Sequence, residues 1–403
     1  VGSDALKVLV KSPFSEYSGY GMDGLGMLRA LSQWGCDVYP QPTWVDVPIP
    51  KDLLPLFAKT LDPPFDLLIN HWDPTNLFIT REARGMSRIA VAWTMWEFAG
   101  GPGKNGKPVS GLVPHCPRRT TLPERLRWFD MVLGYDNVSL DAISPYVPSK
   151  VRQGVLQGGY DSRRWKHTGR DWTGERFQFI MHGALNRRKQ PWTAIQAFQR
   201  LKFDKGSEFD GARLALHTSA PGTLFPELNE PFAKSGIKVF TSALDKQELD
   251  DFYAAGHVLL GPSMGEGKLL PALEFMTTGG TCAVTNFGGP EHWLRSDYAY
   301  PLDYELVPTF EDKPWAAHSA QVDPDHLAEV IWHIWTHRDE ARRKAELAAD
   351  IIPKMCDWQV VIEALFRRLE TIDGPGPEVS QKALACRRPA RGGDIIGYGH
   401  GHG

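Results

Sequence analysis

Cysteine is scarce and scattered in this chain of 403 residues: five, at positions 36, 116, 282, 356 and 386. An odd number with no C-x-x-C spacing suits neither a closed disulfide framework nor a thiolate metal site. It points to a reducing, cytoplasmic setting. No H-E-x-x-H or comparable ligand spacing occurs among the thirteen histidines, so no metal is expected. No stretch approaches the roughly 18 apolar residues of a membrane span. The opening residues, VGSDALKVLV, lack the basic and apolar regions of a secretory signal. Excess charge is missing as well. A formal net charge of -3 and a pI near 6.5 give no general attraction to nucleic acid or to an anionic membrane.

What is present is an ordinary globular composition, 42% hydrophobic and 23% charged, in a chain long enough for two cores. Short apolar runs alternate with amphipathic segments. KVLVK (7–11), CDVY (36–39), FDLLIN (65–70), IAVAWT (89–94) and DMVLG (130–134) read as strands, with helices expected over 25–34 and 137–143. After VLQGGYDSRRW, a linker, a second series begins: FQFIMH (177–182), ARLALHT (212–218), 237–240, 258–260 and 281–284 as strands, with helices at 191–201, 246–255 and 270–277. This spacing is that of parallel α/β units. It predicts two doubly wound, Rossmann-like domains, 1–158 and 159–340, facing each other across a cleft. Long helices over 325–339 and 340–372 follow, with 341–372 expected to cross back to the first domain. Residues 373–403, rich in Gly and Pro, read as a flexible tail.

GYGMDG (19–24) matches G-x-G-x-x-G. A dinucleotide fingerprint needs its first glycine directly after the strand and an acid at the end of the second strand. Here Gly19 lies eight residues beyond Lys11, and CDVYPQPT ends without an acid. The better reading is a loop at a strand's carboxyl end in which Gly19 and Gly21 let the backbone approach a ligand.

The most informative stretch is GEGKLLPALEFMTTGG (265–280), where seven residues separate Glu266 from Glu274. Pro271 suits the first turn of a helix. Glu266 then sits in the loop before that helix, and Glu274 about one turn inside it. Such a helix start attracts phosphate through free N–H groups and its dipole, while carboxylates repel phosphate at contact range. Both facts are met by a ligand with a central diphosphate flanked by neutral hydroxyls, which is a nucleotide-sugar. Arg187, Arg188 and Lys189 follow the strand FQFIMH on the same expected edge. There they can neutralise a diphosphate and stabilise it as a leaving group.

Together these segments resemble family 4 retaining glycosyltransferases of the GT-B fold, whose usual form is close to E-G-F-G-L-P-x-L-E-A-M-A-x-G-x-P-V-V. GALNRRKQP resembles their G-R-L-x-x-x-K-G element. Gly183 and Lys189 match it; Ala184 replaces the usual arginine and Gln190 the final glycine. The similarity is strong over 177–294 and weaker in AWTMWEF and LPERLRWFDMVLGYDNVSLDAI.

The resemblance implies an enzyme that uses a nucleotide-diphosphate-sugar as co-substrate, with no metal or other cofactor, and retains configuration by front-face substitution. It implies that Glu274 holds the ribose, Glu266 the transferred sugar, and Arg188 with Lys189 the diphosphate. Gly183, the loop Gly267, Lys268, Leu269, Leu270, and Asn286, Gly288 and Gly289 of NFGG would lie beside the donor. Gly19 and Gly21 would close over it from the first domain. The first domain would bind the acceptor: a glycan, lipid, protein or small molecule, with nucleic acid not indicated. The histidine many members carry after the fourth strand is missing. Glu97, or His71 with Asp73 in NHWDP, are the acceptor-side candidates. A GT-B sugar phosphorylase, a nucleotide-sugar epimerase and a non-catalytic sugar-binding protein are the competing readings.

Overall fold

A computed structural model of the chain describes residues 5–16, 18–45, 49–74, 76–97, 121–218, 235–308 and 318–387. Six parallel strands form the first sheet: β1 (Lys7–Phe14), β2 (Asp37–Val45), β3 (Phe65–His71), β4 (Ser87–Thr94), β5 (Met131–Gly134) and β6 (Arg152–Val155), in the order β2-β1-β3-β4-β5-β6. A second parallel sheet holds β7 (Phe177–Gly183), β8 (Ala212–Thr218), β9 (Ile237–Phe240), β10 (Val258–Gly261), β11 (Thr281–Thr285) and β12 (Tyr300–Leu302), in the order β12-β11-β10-β7-β8-β9. A hairpin of β13 (Glu305–Pro308) and β14 (His318–Gln321) follows. The central strands are apolar runs because helices cover both faces of each sheet. Every residue of β3, β10 and β11 is buried.

Strand order reverses between β1 and β3 in the first sheet and between β7 and β10 in the second. In open α/β sheets ligands bind outside the carboxyl ends of the strands at such a switch point. Here the two switch points face each other.

Three stretches differ from the sequence expectation. The glycine-rich segment after β1 is not a loop. A helix spans Gly19–Trp34, with the Ser18 side chain accepting from the Gly21 N–H as its cap. Its glycines serve close packing: a Cβ on Gly21 would overlap Ser15, and one on Gly26 the Trp358 indole. The final long helix is interrupted. It runs Arg338–Cys356 and resumes over Trp358–Leu369. Pro353 removes one backbone donor near the first end, and the Asp357 side chain caps the second helix through the Gln359 N–H at 2.8 Å.

The segment after Asp373 is not wholly a tail. Gly376–Ala385 is helical, Val379 and Ala383 are buried in the first core, and Trp34 Nε1 donates to the Ala383 carbonyl at 2.9 Å. A ten-residue amphipathic pattern is too short to register in a Gly/Pro-rich context. Residues 388–403 lie outside the described set.

The chain passes between the two sheets twice, side by side. Tyr160 N–H donates to the Cys356 carbonyl and Trp358 N–H to the Tyr160 carbonyl, both at 3.0 Å. Beyond this point Trp358, Val361, Ile362, Leu365, Phe366 and Leu369 join the core of the first sheet. The apolar stripe of this helix is what returns it there.

Candidate functional site

The second switch point gathers the expected charged residues. A one-turn helix over Arg187–Lys189 follows β7, and its Met264 partner loop follows β10; the Met264 N–H donates to the Arg188 carbonyl at 2.8 Å. Lys189 Nζ lies 2.5 Å from Glu266 Oε1, and Arg188 Nη1 lies 3.1 Å from the same oxygen. Arg188 Nη1 also donates to the Gly265 carbonyl. Lys189 and Glu266 are buried. Burial alone would raise the Glu266 carboxyl, but the Lys189 and Arg188 charges outweigh it and hold the group below its usual value.

Glu274 lies within the helix Leu270–Thr277, buried, with the Tyr253 hydroxyl donating to its Oε2 at 3.1 Å. Burial raises this carboxyl to about 7, with Arg164 and the Tyr253 hydrogen bond partly offsetting. The two glutamates thus differ in kind: Glu266 is fixed as an anion by two cations, while Glu274 titrates near neutrality.

The loops between them are shaped by backbone contact. Gly289 N–H donates to the Glu266 carbonyl at 2.8 Å, and a Cβ on Gly289 would overlap Gly267. Gly288 takes φ 74, against the Glu266 carbonyl, and Gly183 takes φ 128 beside the Lys189 side chain. Asn286 is exposed at the mouth of the same loop. Leu270 begins the helix, and Leu269 precedes it at φ 58.

The first domain reaches this site through Glu97, whose Oε1 stands 3.1 Å from Arg188 Nη2. Arg188 is therefore held between a carboxylate of each domain. The segment carrying Glu97 is pinned by two residues that the sequence reading did not place in the site. Tyr20 donates to the Met95 carbonyl at 2.9 Å, and Ser139 Oγ accepts from the Trp96 N–H at 2.9 Å. Ser139 lies near, but offset from, the serine of the pattern the sequence resembles, and no periodicity or motif marks Tyr20.

Other expected residues fall elsewhere. His71 is fully buried, with Nδ1 2.9 Å from Ser12 Oγ and Nε2 2.8 Å from the Tyr135 hydroxyl. Both ring nitrogens are engaged inside the first domain. Asp73 is half-buried and accepts from Asn76 Nδ2 at 2.6 Å; its charge reaches the Tyr20 hydroxyl, as does that of Glu97. Lys268 points away from the cation pair. Its ammonium donates to Asp23 and, at 2.5 Å, to the Gly159 carbonyl. Gly19 is exposed at the helix start, and Gly21 is packed on Ser15. Neither presents a free loop.

Among the described residues no group of three or more His, Cys, Asp or Glu side chains is placed to hold a metal ion. No described helix is long and apolar enough to cross a membrane.

No family model and no curated protein sequence matches this chain. Solved structures do. A sucrose-phosphate synthase from Thermosynechococcus elongatus aligns at 14% identity over 90% of this chain and 99% of that one, with a TM-score of 0.60. Anabaena HepE, in complex with UDP and glucose, aligns at 13% identity over 91% of this chain and 100% of that one, TM-score 0.56. A glycosyltransferase from Rickettsia africae aligns at 10% identity over 92% and 99%, TM-score 0.61. At these identities the likeness shows the fold: two Rossmann-like α/β domains across a cleft, the GT-B architecture.

Proposed function

We propose that this protein is a retaining glycosyltransferase that moves a sugar from a nucleotide-diphosphate-sugar to an acceptor. One observation carries the reading: Arg188 and Lys189 converge on Glu266 at the switch point of the second sheet, with Glu274 in the helix that follows. Two cations at a helix start suit a diphosphate, and the two carboxylates suit the hydroxyls on either side of it. Similar solved structures hold UDP with glucose or UDP-2-fluoro glucose, which agrees with such a ligand.

In this reaction the bond between the anomeric carbon and the diphosphate oxygen breaks as the acceptor oxygen bonds to the same face. The acceptor's proton passes to the departing phosphate oxygen. Arg188 and Lys189 stabilise the charge that gathers on that phosphate. Glu266 accepts from a hydroxyl of the transferred sugar, and Glu274 from the ribose. Glu97 acts from the acceptor side by aiming the Arg188 guanidinium, which ties placement of the cation to closure of the domains. Asp73, near Tyr20, remains an acceptor-side candidate, and the domain division at 158/159 is part of this proposal. A pyridoxal-dependent phosphorylase would need a lysine free to form a Schiff base; Lys268 is instead paired with Asp23.

The test is a thermal-shift panel of UDP-, GDP- and ADP-sugars with released nucleotide as second readout. A true donor raises the melting temperature by mass action. Lys189→Ala and Glu274→Ala should each abolish donor turnover while the protein stays folded. Full turnover in both variants would sink the site assignment, and silence to every donor would favour a non-catalytic binding protein.

A further inference from the structure

Two imidazoles meet at the carboxyl ends of β7 and β8, and the roles above leave them unused. His182 Nδ1 lies 2.9 Å from His217 Nδ1, with the rings stacked at 5.0 Å and 17°. His217 Nε2 lies 2.8 Å from the Ser242 carbonyl oxygen.

Protons can be assigned along this chain from the far end. A carbonyl oxygen only accepts, so His217 Nε2 carries a hydrogen. Burial lowers the His217 pKa, so this ring is neutral and its Nδ1 is bare. The bare nitrogen must accept from His182 Nδ1, which therefore carries the hydrogen. Burial, with His217 and Lys189 adding to it, pushes His182 down to about 3, so that ring is neutral too. Its Nε2 keeps a lone pair, and no hydrogen bond to that atom is found among the described residues.

The place of this lone pair matters. His182 directly precedes Gly183, which lies against the Lys189 side chain. On its other side the His182 ring meets Tyr253 edge-to-face at 5.6 Å, and Tyr253 holds Glu274. His182 thus stands between the cations of the diphosphate grip and the carboxyl of the ribose grip. A fixed acceptor repels phosphate oxygens, which are acceptors themselves, and attracts a neutral O–H or N–H.

We propose that His182 is a specificity-determining residue whose Nε2 accepts a hydrogen bond from the nucleoside of the donor, with His217 as the positioning residue that fixes its tautomer. This rests on the nucleotide-sugar reading of the site. The chemistry recognised is a neutral donor group, either a ribose hydroxyl or a nucleobase N–H. Neither histidine belongs to the two motifs GALNRRKQP and GEGKLLPALEFMTTGG.

The experiment is calorimetric titration of wild type and His182→Leu with UDP, GDP, ADP and inorganic pyrophosphate. His182→Leu should weaken a nucleoside diphosphate about five- to tenfold, the weight of one neutral hydrogen bond, and leave pyrophosphate unchanged. A loss shared by all bases assigns a ribose hydroxyl; a loss confined to one base assigns its N–H; either supports the proposal. Equal binding of the nucleoside diphosphate to both proteins overturns it, as does an equal loss for pyrophosphate. If wild type binds no nucleoside diphosphate, the donor reading itself fails. Nitrogen NMR of the wild-type histidines supplies an independent readout should the variant not fold. His182 Nε2 should be unprotonated between pH 5 and 8 and move upfield when UDP or GDP is added. A proton on that nitrogen would overturn the assignment.

Discussion

Glu274 makes the sharpest prediction about a single residue. Its folded value near 7 lies above the usual 4.5. Between those values the native state holds a proton that the unfolded chain has released. Stability from this group is therefore present on the acid side and lost as pH rises through 7. Asp136, raised by burial to about 7, adds a slope of the same sign, so a difference against a variant is needed. Urea denaturation of wild type and Glu274→Gln from pH 5 to 8 should show the wild type losing on the order of 2 kcal/mol more than the variant across that range. Parallel curves would mean that Glu274 is ionised throughout. Glu97 makes a second prediction at this scale. Glu97→Gln leaves the Arg188 guanidinium with Glu266 alone, loosening its aim without removing a cation. Turnover of a donor should fall roughly tenfold or more, the penalty of a misplaced charge-stabilising group, while binding of the free nucleoside diphosphate changes little. A fall in nucleotide affinity equal to the fall in turnover would assign Glu97 to the ground state instead.

At the scale of elements, the backbone of the proposed donor site was legible in a roundabout way. Gln190 and Leu269 stand where the pattern that the sequence resembles has glycine. They are also the only non-glycine residues with positive φ among those described, at 49 and 58 degrees. Left-handed turns thus precede the helices Pro191–Lys205 and Leu270–Thr277 without the residue that favours them. The two replacements should respond oppositely to restoration. Gln190 is half-buried and its Oε1 has no hydrogen-bond partner among the described residues, so Gln190→Gly should raise stability by about 1 kcal/mol. Leu269 is only 4% exposed, and the roughly 2 kcal/mol of lost burial outweighs the relieved strain. Leu269→Gly should therefore lower stability, and equal shifts would show that strain is not the governing term.

Strands and the approach of Arg188 and Lys189 to Glu266 could be read because their signals are local: apolar runs, a proline at a helix start, a cation cluster after a strand. The helical state of GYGMDG could not. Glycine-rich sequence normally argues against a helix; the Ser18 cap, with Ser15 packed on Gly21 and Pro13 and Ser12 on Gly24, explains the choice. The same limit hid Tyr20 and Ser139, and it made His71 look available when its partners Ser12 and Tyr135 lie far off in sequence.

Over the whole molecule, the two domains are held in register by contacts that cross the cleft at the loop of Gly265, Gly267 and Lys268. Lys268 spans it to Asp23 of the helix after β1. Both side chains are about 5% exposed or less, and Trp358 lies 5.6 Å from the ammonium. Asp23 also accepts from Tyr135 at 2.9 Å, which in turn meets His71. The buried pair is thus the end of a polar chain that runs through the first domain. In Lys268→Met the Asp23 charge stays buried with its cation gone, which costs about 3–5 kcal/mol. Removing both charges in Asp23→Asn/Lys268→Met should recover more than half of that loss in urea denaturation, because the stranded charge, and not the missing attraction, is the main penalty. Gly265 and Gly267 bring the loop so close that a Cβ on either would overlap Glu97 or Met95 of the other domain. Gly265→Ala removes no charge and no core side chain, so each domain should stay folded while the cleft is wedged apart. Small-angle scattering should then report a larger radius of gyration for Gly265→Ala than for wild type at unchanged circular dichroism. An unchanged radius would show that the loop yields locally and that closure does not depend on glycine at this position.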